Sequence, residues 1–457
     1  MRRKVRNIFF VGVGGIGMSG IAEVLLNLGY HISGSDIARS DTTERLEALG
    51  VRVFYGHSAE NLEAADVVVV SSAIDGGNPE VVEAGKRSIP VIPRAEMLSE
   101  LLKMKFSIAV SGCHGKTTTT SMIATILASG GLDPTMVIGG KLASIGGNAR
   151  LGDGDIIVAE ADESDGSFLK LSPSVAVITN IDREHVDHYP TMGDIKTAFA
   201  AFANTVPFYG STILCADDPN VTDILHQIKR RIISYGCSDA CDFQATDISF
   251  DGFASSYTLY CRGERAGDMA LRVPGMFNVY NSLAAIAVAR ELDMDYRAIE
   301  KGLAAFSGVQ RRLEVRGKKE GVMVVDDYGH HPTEIRATLA AAREAWRSRI
   351  IVVFQPHRYT RTQALFDDFA GAFSDADMVV LTDIYAASEK AIEGVNSRNL
   401  SDRMREAGMT DVRYISDFDD IVAYLRTVAQ SGDVIMTLGA GNIWAVGKKF
   451  LEPGEMS

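Results

Sequence analysis

The sequence lacks the features that mark membrane, disulfide-rich and nucleic-acid-binding proteins. No apolar run reaches the length of about 18 residues that a membrane-spanning helix needs. The five cysteines form no C-x-x-C pair, which is typical of reduced thiols in the cytosol. The net charge is −13 and no lysine or arginine run stands out, which argues against nucleic acid as the main partner. Glycines from Gly12 onward break the apolar run that follows the basic residues 2–4, so no signal peptide is indicated and a cytoplasmic location is expected.

The length and composition indicate a globular protein with several domains. The chain has 457 residues, of which 46% are hydrophobic and 23% are charged. This length predicts roughly two to four domains. Neither an internal repeat nor a low-complexity segment is present.

The strongest motif is S-G-C-H-G-K-T at residues 111–117. An apolar, β-prone run at 106–110 precedes it, and apolar residues at helical spacing follow it over 118–128. This order of strand, glycine loop and helix is the context of a phosphate-binding loop, whose backbone N–H groups converge on a phosphate. Lys116 is placed to reach the terminal phosphates, and the Thr117 hydroxyl is placed to hold Mg²⁺. The predicted nucleotide-binding residues of this segment are Gly112, Cys113, His114, Gly115, Lys116, Thr117 and Thr118.

A second glycine motif, G-V-G-G-I-G at residues 12–17, lies near the start of the chain. It follows a predicted strand at 7–13 and opens a helix, and Asp36 ends the next strand. Taken alone, this is the fingerprint of an NAD-type dinucleotide site. A UDP-sugar also offers a diphosphate and a ribose hydroxyl, so the motif leaves both ligands open.

Polar side chains follow two predicted strands of the middle region, at 155–159 and 174–179. The first strand leads to Glu160, and the second leads to His185. Because ligands sit outside the carboxyl ends of parallel strands, both side chains are expected on the same rim as Thr117. This set suggests a Mg²⁺ site, although imidazole is a less usual ligand of Mg²⁺ than oxygen.

Other features of the middle region have structural interpretations. The acidic residues Asp162, Glu163 and Asp165 are typical of a solvated loop. Alternating residues from 242 to 273 predict a small antiparallel patch. Asn278 is a candidate N-cap of an alanine-rich helix.

The last third of the chain predicts another doubly wound sheet. Its predicted strands are 322–325, 350–354, 378–381 and 433–438. Two of these strands, taken to be neighbours, are followed by a cluster suited to an anionic ligand, namely His330, His331, His357, Arg358 and Arg361. Pro332 and Glu334 fit the start of a helix.

Together these segments resemble the Mur ligase family, ATP-dependent carboxylate–amine ligases that build the peptidoglycan precursor. The resemblance runs nearly end to end and is carried by residues 12–20, 111–119, 160–165, 180–187, 326–334 and 354–361. It implies an α/β fold of three domains, namely an N-terminal Rossmann-like domain for the UDP-sugar (1–103), a central phosphate-loop domain for ATP (104–311) and a C-terminal Rossmann-like domain for the amino acid (312–457). The last two segments favour a branch of the family that adds a single alanine over one that adds a whole tripeptide.

The resemblance also implies a set of site residues. Metal ligands would be Thr117, Glu160 and His185. Further ATP contacts would be Asn278, Asn281, Arg312 and Asp327. Substrate contacts would be Gly14, Gly15, Ile16, Gly17, Met18, Ser19, Asp36, Ser71 and Ser72 in the first domain, and Tyr328, His330, His357, Arg358 and Arg361 in the third.

The implied reaction joins UDP-N-acetylmuramate and L-alanine with ATP and Mg²⁺, through an acyl phosphate. Catalysis then depends on neutralising charge and positioning reactants. The implied catalytic residues are Lys116, Glu160, His185, His330, His331 and Arg358. Either His330 or His331 would accept the proton of the amine, and Arg358 or Arg361 would pair with the alanine carboxylate.

Two departures and several alternatives accompany this interpretation. Cys113 replaces a threonine of the usual loop, and residues 197–200 lack the carbamylated lysine that several relatives carry. The alternatives are a nicotinamide-dependent dehydrogenase, a nucleotide-switched regulatory protein and a ligase that attaches a tripeptide. No nucleic acid or membrane partner is expected, and the expected assembly is a monomer or a weak homodimer.

Overall fold

The computed structural model describes residues 5–71, 73–142 and 147–452, without the side chains of Ile16 and of residues 139–142 and 147–148. The predicted substrate contact Ser72 and the side chain of Ile16 therefore lie outside the described residues. Three α/β units follow one another along the chain, each built on its own sheet. Every helix in the described ranges is too short or too polar to cross a bilayer.

The first unit is a parallel sheet whose described strands lie in the order β3-β2-β1-β4-β5. Strand β1 is central, and alternate residues feed two cores because both of its faces are covered. Ile8 and Phe10 join the larger core, whereas Phe9 and Val11 join the smaller one. The elements are β1 (Asn7–Val11), α1 (Ile16–Asn27), β2 (His31–Asp36), α2 (Asp41–Leu49), β3 (Arg52–Tyr55), β4 (Val67–Val70), α3 (Pro79–Lys86), β5 (Val91–Pro93) and α4 (Arg94–Leu102), with a short 3-10 helix at Ala59–Asn61.

The second unit places the phosphate-loop strand near the middle of a larger sheet. Its elements are β6 (Phe106–Ser111), α5 (Lys116–Ser129), β7 (Thr135–Leu142), β8 (Gly147–Arg150), β9 (Ile156–Glu160), β10 (Val175–Ile178), α6 (Met192–Asn204), β11 (Ser211–Cys215), α7 (Pro219–Ile224), β12 (Arg231–Gly236), β13 (Phe243–Asp251), β14 (Ala254–Cys261), β15 (Glu264–Leu271), α8 (Met276–Glu291) and α9 (Tyr296–Ala305), with 3-10 turns at Ser167–Lys170 and Leu225–Gln227. The described strands lie in the order β15-β14-β13-β12-β11-β10-β6-β9-β7-β8. The predicted antiparallel patch is confirmed as β13 to β15, which extends this same sheet.

The third unit has a strand order that the sequence interpretation did not anticipate. Its elements are β16 (Glu314–Lys319), β17 (Val322–Asp327), α10 (Pro332–Ala345), β18 (Ile350–Phe354), α11 (Tyr359–Ala364), α12 (Phe366–Ala370), β19 (Met378–Leu381), α13 (Ser397–Glu406), β20 (Val412–Tyr414), α14 (Phe418–Val428), β21 (Val434–Leu438) and α15 (Trp444–Leu451). The described strands lie in the order β16-β17-β21-β18-β19-β20. The prediction that β17 and β18 are neighbours is wrong, because the last strand of the chain, β21, pairs in parallel with both and separates them.

The N-cap prediction for Asn278 is also wrong. Helix α8 begins at Met276 after Gly275, whose φ of +93° is left-handed. Asn278 therefore lies inside the first turn, where its Nδ2 donates a hydrogen bond to the Pro274 carbonyl at 2.7 Å. The side chain is buried and ties the helix start to the chain that enters it.

Candidate active site

The phosphate loop spans residues 112–115 between β6 and α5. Gly112 has a φ of +130° and Gly115 a φ of +83°, conformations that favour glycine. A Cβ on Gly112 would run into the Thr179 hydroxyl, and one on Gly115 would lie 2.6 Å from Asn281 Oδ1. Both positions therefore require glycine by backbone conformation and by close packing.

Residues at the end of β10 hold the loop in place. The His114 N–H donates to Asn180 Oδ1 at 2.9 Å. The His114 carbonyl accepts from Thr179 Oγ1 at 2.6 Å and from Asn180 Nδ2 at 2.9 Å. Cys113 is buried, and its Sγ accepts from the Asp182 N–H at 3.1 Å. The thiol thus packs against the adjacent strand end, and its burial holds its pKa well above the ordinary value.

Lys116 points into a cavity and pairs with a buried acid. Its Nζ donates to Glu163 Oε1 and to the Gly112 carbonyl, both at 2.7 Å. Burial lowers the pKa of Lys116, but the carboxylates of Glu163 and Asp162 outweigh it and hold the pKa above its usual range. The lysine is therefore a permanent positive charge at the loop.

The interpretation of Asp162, Glu163 and Asp165 as part of a solvated loop is wrong for Glu163. The residue is fully buried, and its Oε1 lies 3.1 Å from His185 Nε2 as well as contacting Lys116. Asp162 is half-buried and pairs with Arg94 of the first unit at 3.2 Å, whereas Asp165 is exposed as expected. A lone acid in an acidic loop carries no periodic signal of burial, which is why sequence reasoning missed Glu163.

The residues predicted as metal ligands share one cavity. Thr117, Glu160 and His185 line a cavity of about 740 Å³ together with Lys116. Their hydroxyl, carboxylate and imidazole groups are suitable ligands for a divalent cation, with the oxygens preferred by Mg²⁺. Glu163 Oε2 is buried and has no hydrogen-bond partner among the described residues, a deficit that a nearby cation would relieve. The residues present therefore fit a metal ion beside the phosphate loop.

A second cavity, of about 430 Å³, adjoins the loop on its other side. Its lining includes the predicted ATP contacts His114, Gly115, Thr118, Asn281, Arg312 and Asp327. Aromatic side chains from the ends of neighbouring strands and helices complete it, namely Tyr235, Phe277 and Tyr280. Sequence reasoning missed these aromatic residues because they are distant in sequence from the loop. A cavity with aromatic side chains beside a phosphate loop suits a purine ring.

Of the predicted ATP contacts from outside the loop, Asn278 does not line the 430 Å³ cavity, whereas Asp327 does. Asn278 lines a smaller neighbouring cavity and reaches the site through Asn281, whose Nδ2 lies 3.4 Å from Asn278 Oδ1. Asp327 is buried, and its carboxylate accepts from the N–H groups of Leu313 at 2.8 Å and Gly329 at 2.7 Å. Burial raises the pKa of Asp327 to about 6.

Charged groups join the second unit to the third at the loop. His114 Nε2 lies 3.0 Å from Asp182, and its Nδ1 lies 3.5 Å from Glu334 Oε1. Burial lowers the pKa of His114, but these two carboxylates raise it to a net value of about 10. Arg361 Nε donates to Glu184 Oε1 at 2.9 Å, in a pair that is almost fully buried. These contacts join the second and third units beside the loop.

The histidines of the third unit lie on the rim of the larger cavity or behind it. His330 lines that cavity, and its Nδ1 lies 3.0 Å from the Tyr328 carbonyl. Its ring lies 5.9 Å from that of His357, so the rim brings together residues that follow non-adjacent strands. Burial lowers the pKa of His330 to about 3, and burial with the nearby arginines lowers that of His357 to about 4.

His331 and Arg358 have other surroundings. His331 is buried, and its Nδ1 accepts from the Thr333 N–H at 3.3 Å at the start of α10. Its Nε2 lies 3.2 Å from the Arg183 carbonyl. Arg358 is partly exposed and lies 3.6 Å from both Asp187 and Glu389.

The first unit presents its glycine loop at the carboxyl ends of β1 and β2. The Gly14 N–H donates to Asp36 Oδ2 at 2.9 Å, so the acid braces the loop itself. Met18 and Ser19 are almost fully buried in α1. Gly15, Gly17 and Ser71 lie at the surface of this edge, in half-buried or exposed positions.

A phosphate loop with a partly buried lysine, set beside acids and an imidazole and bordered by a third α/β unit, defines a nucleotide-dependent enzyme assembled from several domains. Models of one known protein family match three consecutive segments of this chain. Family models match residues 7–106 (Mur ligase family, catalytic domain), 110–289 (Mur ligase middle domain) and 311–441 (Mur ligase, glutamate ligase domain). The chain belongs to the Mur ligase family.

Individual relatives agree with the family assignment. The chain is 66% identical to a UDP-N-acetylmuramate–L-alanine ligase of Syntrophus aciditrophicus over 99% of this chain and 94% of that protein. Its structure is similar to that of the UDP-N-acetylmuramate-alanine ligase MurC from Thermotoga maritima, with a TM-score of 0.82, 30% identity and coverage of 97% and 98% of the two chains. It is also similar to a murein peptide ligase from Psychrobacter arcticus, with a TM-score of 0.72, 26% identity and coverage of 98% of both chains.

Proposed function

We propose that this chain joins L-alanine to the lactyl carboxylate of UDP-N-acetylmuramate at the expense of ATP, in the synthesis of the peptidoglycan precursor. One observation carries the proposal beyond family membership. The phosphate-loop lysine, the candidate metal ligands and the third-unit histidine His330 line one cavity, so a triphosphate, a carboxylate and an amine have a common meeting point. The similarity to the UDP-N-acetylmuramate–alanine ligases of Syntrophus aciditrophicus and Thermotoga maritima supports the choice of these two substrates.

The reaction has two steps. The lactyl carboxylate attacks the γ-phosphorus of ATP, which forms an acyl phosphate and releases ADP. The alanine amine then attacks the acyl carbon, and inorganic phosphate leaves. Lys116 offsets negative charge on the transferred phosphoryl group, and the loop amides position it. The ATP contacts Asn281, Arg312 and Asp327 line the cavity proposed for the base and ribose.

Magnesium would be held by Thr117, Glu160 and His185, with Glu163 close behind them. When bound, the ion neutralises phosphate charge and orients the phosphoryl group. The chain's own residues accomplish the rest of the positioning. Glu163 holds Lys116 and His185 together through a single carboxylate oxygen.

The hydrogen bonds favour His330 over His331 as the acceptor of the amine proton. A carbonyl only accepts, so the contact with Tyr328 fixes the proton of His330 on Nδ1 and leaves Nε2 with a free electron pair. His331 has the opposite tautomer, because its Nδ1 accepts from Thr333 and its Nε2 donates to the Arg183 carbonyl. Both nitrogens of His331 are thus engaged in holding the chain.

The arginines of the third unit are proposed to bind the amino-acid carboxylate. Arg361 is already committed to Glu184, whereas Arg358 has only long contacts and greater exposure. Arg358 is therefore the better candidate for a bidentate pair with alanine. The first domain (1–103) would bind the UDP-sugar, the central domain (104–311) ATP and the third (312–457) the amino acid. A cytoplasmic location and a monomeric or weakly dimeric state stay predictions.

The deciding experiment measures phosphate release from ATP in the presence of UDP-N-acetylmuramate and Mg²⁺. L-alanine, glycine, L-serine and the murein tripeptide are supplied in turn as the amine. We expect the highest kcat/KM with L-alanine and no release without the UDP-sugar. Preference for the tripeptide would contradict the proposal and favour a ligase that attaches a tripeptide.

A further inference from the structure

Glu334 lies where the two cavities of the site meet. It is in the first turn of α10, is almost fully buried and lines both cavities. The sequence interpretation gave it no role beyond the start of a helix. We propose that Glu334 is a positioning residue that aligns the amino-acid side of the site with the phosphate loop. This inference rests on the proposed ligase function.

One carboxylate oxygen faces the nucleotide side. Oε1 lies 3.5 Å from His114 Nδ1 and accepts from Arg312 Nη1 at 3.2 Å. His114 cannot yield freely, because Asp182 holds its other ring nitrogen and Asn180 holds its backbone N–H. A displacement of Glu334 is therefore transmitted to the phosphate loop.

The other oxygen faces the amino-acid side. Oε2 accepts from the His330 backbone N–H at 3.1 Å and lies 3.4 Å from His330 Nδ1. The same imidazole nitrogen contacts the Tyr328 carbonyl, so the carboxylate supports the tautomer that leaves His330 Nε2 free. Glu334 thus determines where the amine-facing ring stands and which nitrogen it presents.

The charge of Glu334 makes this arrangement rigid. Burial raises the pKa of Glu334, but the charged Arg312 and His114 beside it outweigh this effect and hold the pKa well below the ordinary range. A buried ionised carboxylate with partners on both sides is costly to leave unpaired. Both sides of the site therefore share one anchor, and the second and third units are aligned through it.

A purely structural role makes a different prediction from a positioning role. An acid in the first turn of a helix stabilises that helix through its dipole, with no preference among substrates. Replacement of a positioning residue should instead change kcat or KM for L-alanine more than KM for the other substrates. The two roles are separable by KM and kcat for each substrate and by a double-mutant cycle with His114.

The experiment uses Glu334→Gln, His114→Asn and the double variant in the full-length enzyme with the phosphate-release assay. Glutamine keeps the size of the side chain and removes its charge. Each single variant is expected to lower kcat/KM for L-alanine by about 10- to 100-fold, with little change in KM for UDP-N-acetylmuramate. The double variant is expected to be no more than about threefold worse than the poorer single one, because both remove the same contact.

The matched control is Glu344→Gln, the same change on the exposed end of the same helix. It should leave all kinetic parameters unchanged. If Glu334→Gln lowers the unfolding temperature strongly, Glu334→Asp replaces it, because aspartate keeps the charge but shortens the reach. Aspartate should still raise KM for alanine or lower kcat.

Three outcomes overturn the inference. They are multiplicative effects in the double variant, equal effects on the KM values of all three substrates, and an aspartate variant with wild-type kinetics. An inactive wild-type enzyme would instead contradict the proposed function. The two failures are thus distinguishable in the same assay.

Discussion

The chain contains two glycine loops of the same length, each between the first strand of a unit and the helix that follows it, and the two loops have different side chains around them. Residues 12–15 connect β1 to α1, and residues 112–115 connect β6 to α5. Among the described contacts of the first loop, Asp36 is the one charged side chain that bonds to the loop backbone. It accepts a hydrogen bond from the Gly14 N–H. In the second loop, Lys116 pairs with the buried Glu163, and His114 pairs separately with Asp182 and Glu334.

The difference shows that glycine spacing alone does not define the ligand. Glycines and a helix N-terminus create a place for phosphate in both loops. The first helix residue is Ile16 in one loop and Lys116 in the other. Asp36 lies beside the first loop, whereas Glu160, Glu163 and His185 lie beside the second. We therefore expect the first loop only to bind a diphosphate and the second to take part in phosphoryl transfer.

The largest expected effect tests this division directly. Lys116→Ala should lower phosphoryl transfer by at least about 10²- to 10³-fold, because it removes the fixed positive charge at the transferred group. Binding of UDP-N-acetylmuramate, measured by calorimetry, should be unchanged because we propose that this ligand binds at residues 12–15. Lys301→Ala, at an exposed position of the same unit, is the control. If Lys116→Ala abolished both phosphoryl transfer and binding of UDP-N-acetylmuramate, the proposed division of roles between the two loops would be wrong.

The next effect compares the loops by the same substitution. Gly112→Ala should cost about 1–2 kcal/mol for its positive φ and about 1–3 kcal/mol more for the overlap with Thr179. Gly12→Ala has a φ of +77°, and among the described residues the nearest atom to its Cβ is Ile74 Cδ1 at 3.7 Å, so we expect only the first cost to apply. Urea denaturation of both variants checks the order. Equal losses of stability would show that the packing of the two loops is alike.

The pH dependence of stability should reside in the second loop. His114 has a pKa of about 10 in the folded protein against about 6.5 in an unfolded chain. The folded state thus binds more protons between these values, so the stabilisation is complete below about pH 6.5 and is lost as the pH rises through about 10.

Measurement of the unfolding temperature at pH 6.5 and pH 9.5 checks this sign. The free energy of unfolding of the wild type should fall by on the order of 1 kcal/mol or more between these pH values, which lowers its unfolding temperature. The free energy of unfolding of His114→Asn should fall much less. A steeper dependence in the variant than in the wild type would contradict the proposed charge state.

The smallest effect is expected in the first loop. Asp36→Asn keeps an oxygen that can accept from the Gly14 N–H and removes only the charge. Affinity for UDP-N-acetylmuramate should fall by less than about tenfold, and affinity for ATP should not change. A loss of several hundredfold would indicate that this acid contacts the ligand more strongly than its place beside the loop suggests.

Much of the fold was predictable from local patterns. Buried parallel strands are apolar runs, so β6, β18 and β19 were predicted to within a residue. The glycine loops were predictable because their backbone conformation restricts the residue type, as at Gly112. That Thr117, Glu160 and His185 line one cavity followed from the rule that ligands lie at the carboxyl ends of parallel strands.

The errors arose where a property depends on distant parts of the chain. The insertion of β21 between β17 and β18 is a long-range pairing with no local signal. Glu163 appears in an acidic loop but is buried because Lys116 and His185 converge on it. Asn278 resembles a cap in sequence, whereas Gly275 takes the position that begins the helix.

The most direct test is a crystal structure with a non-hydrolysable ATP analogue and Mg²⁺. The account predicts density for the triphosphate along residues 112–117 and for the base in the cavity near Tyr235 and Tyr280. An analogue bound at residues 12–15, or an empty loop at 112–117 under saturating ligand, would contradict it.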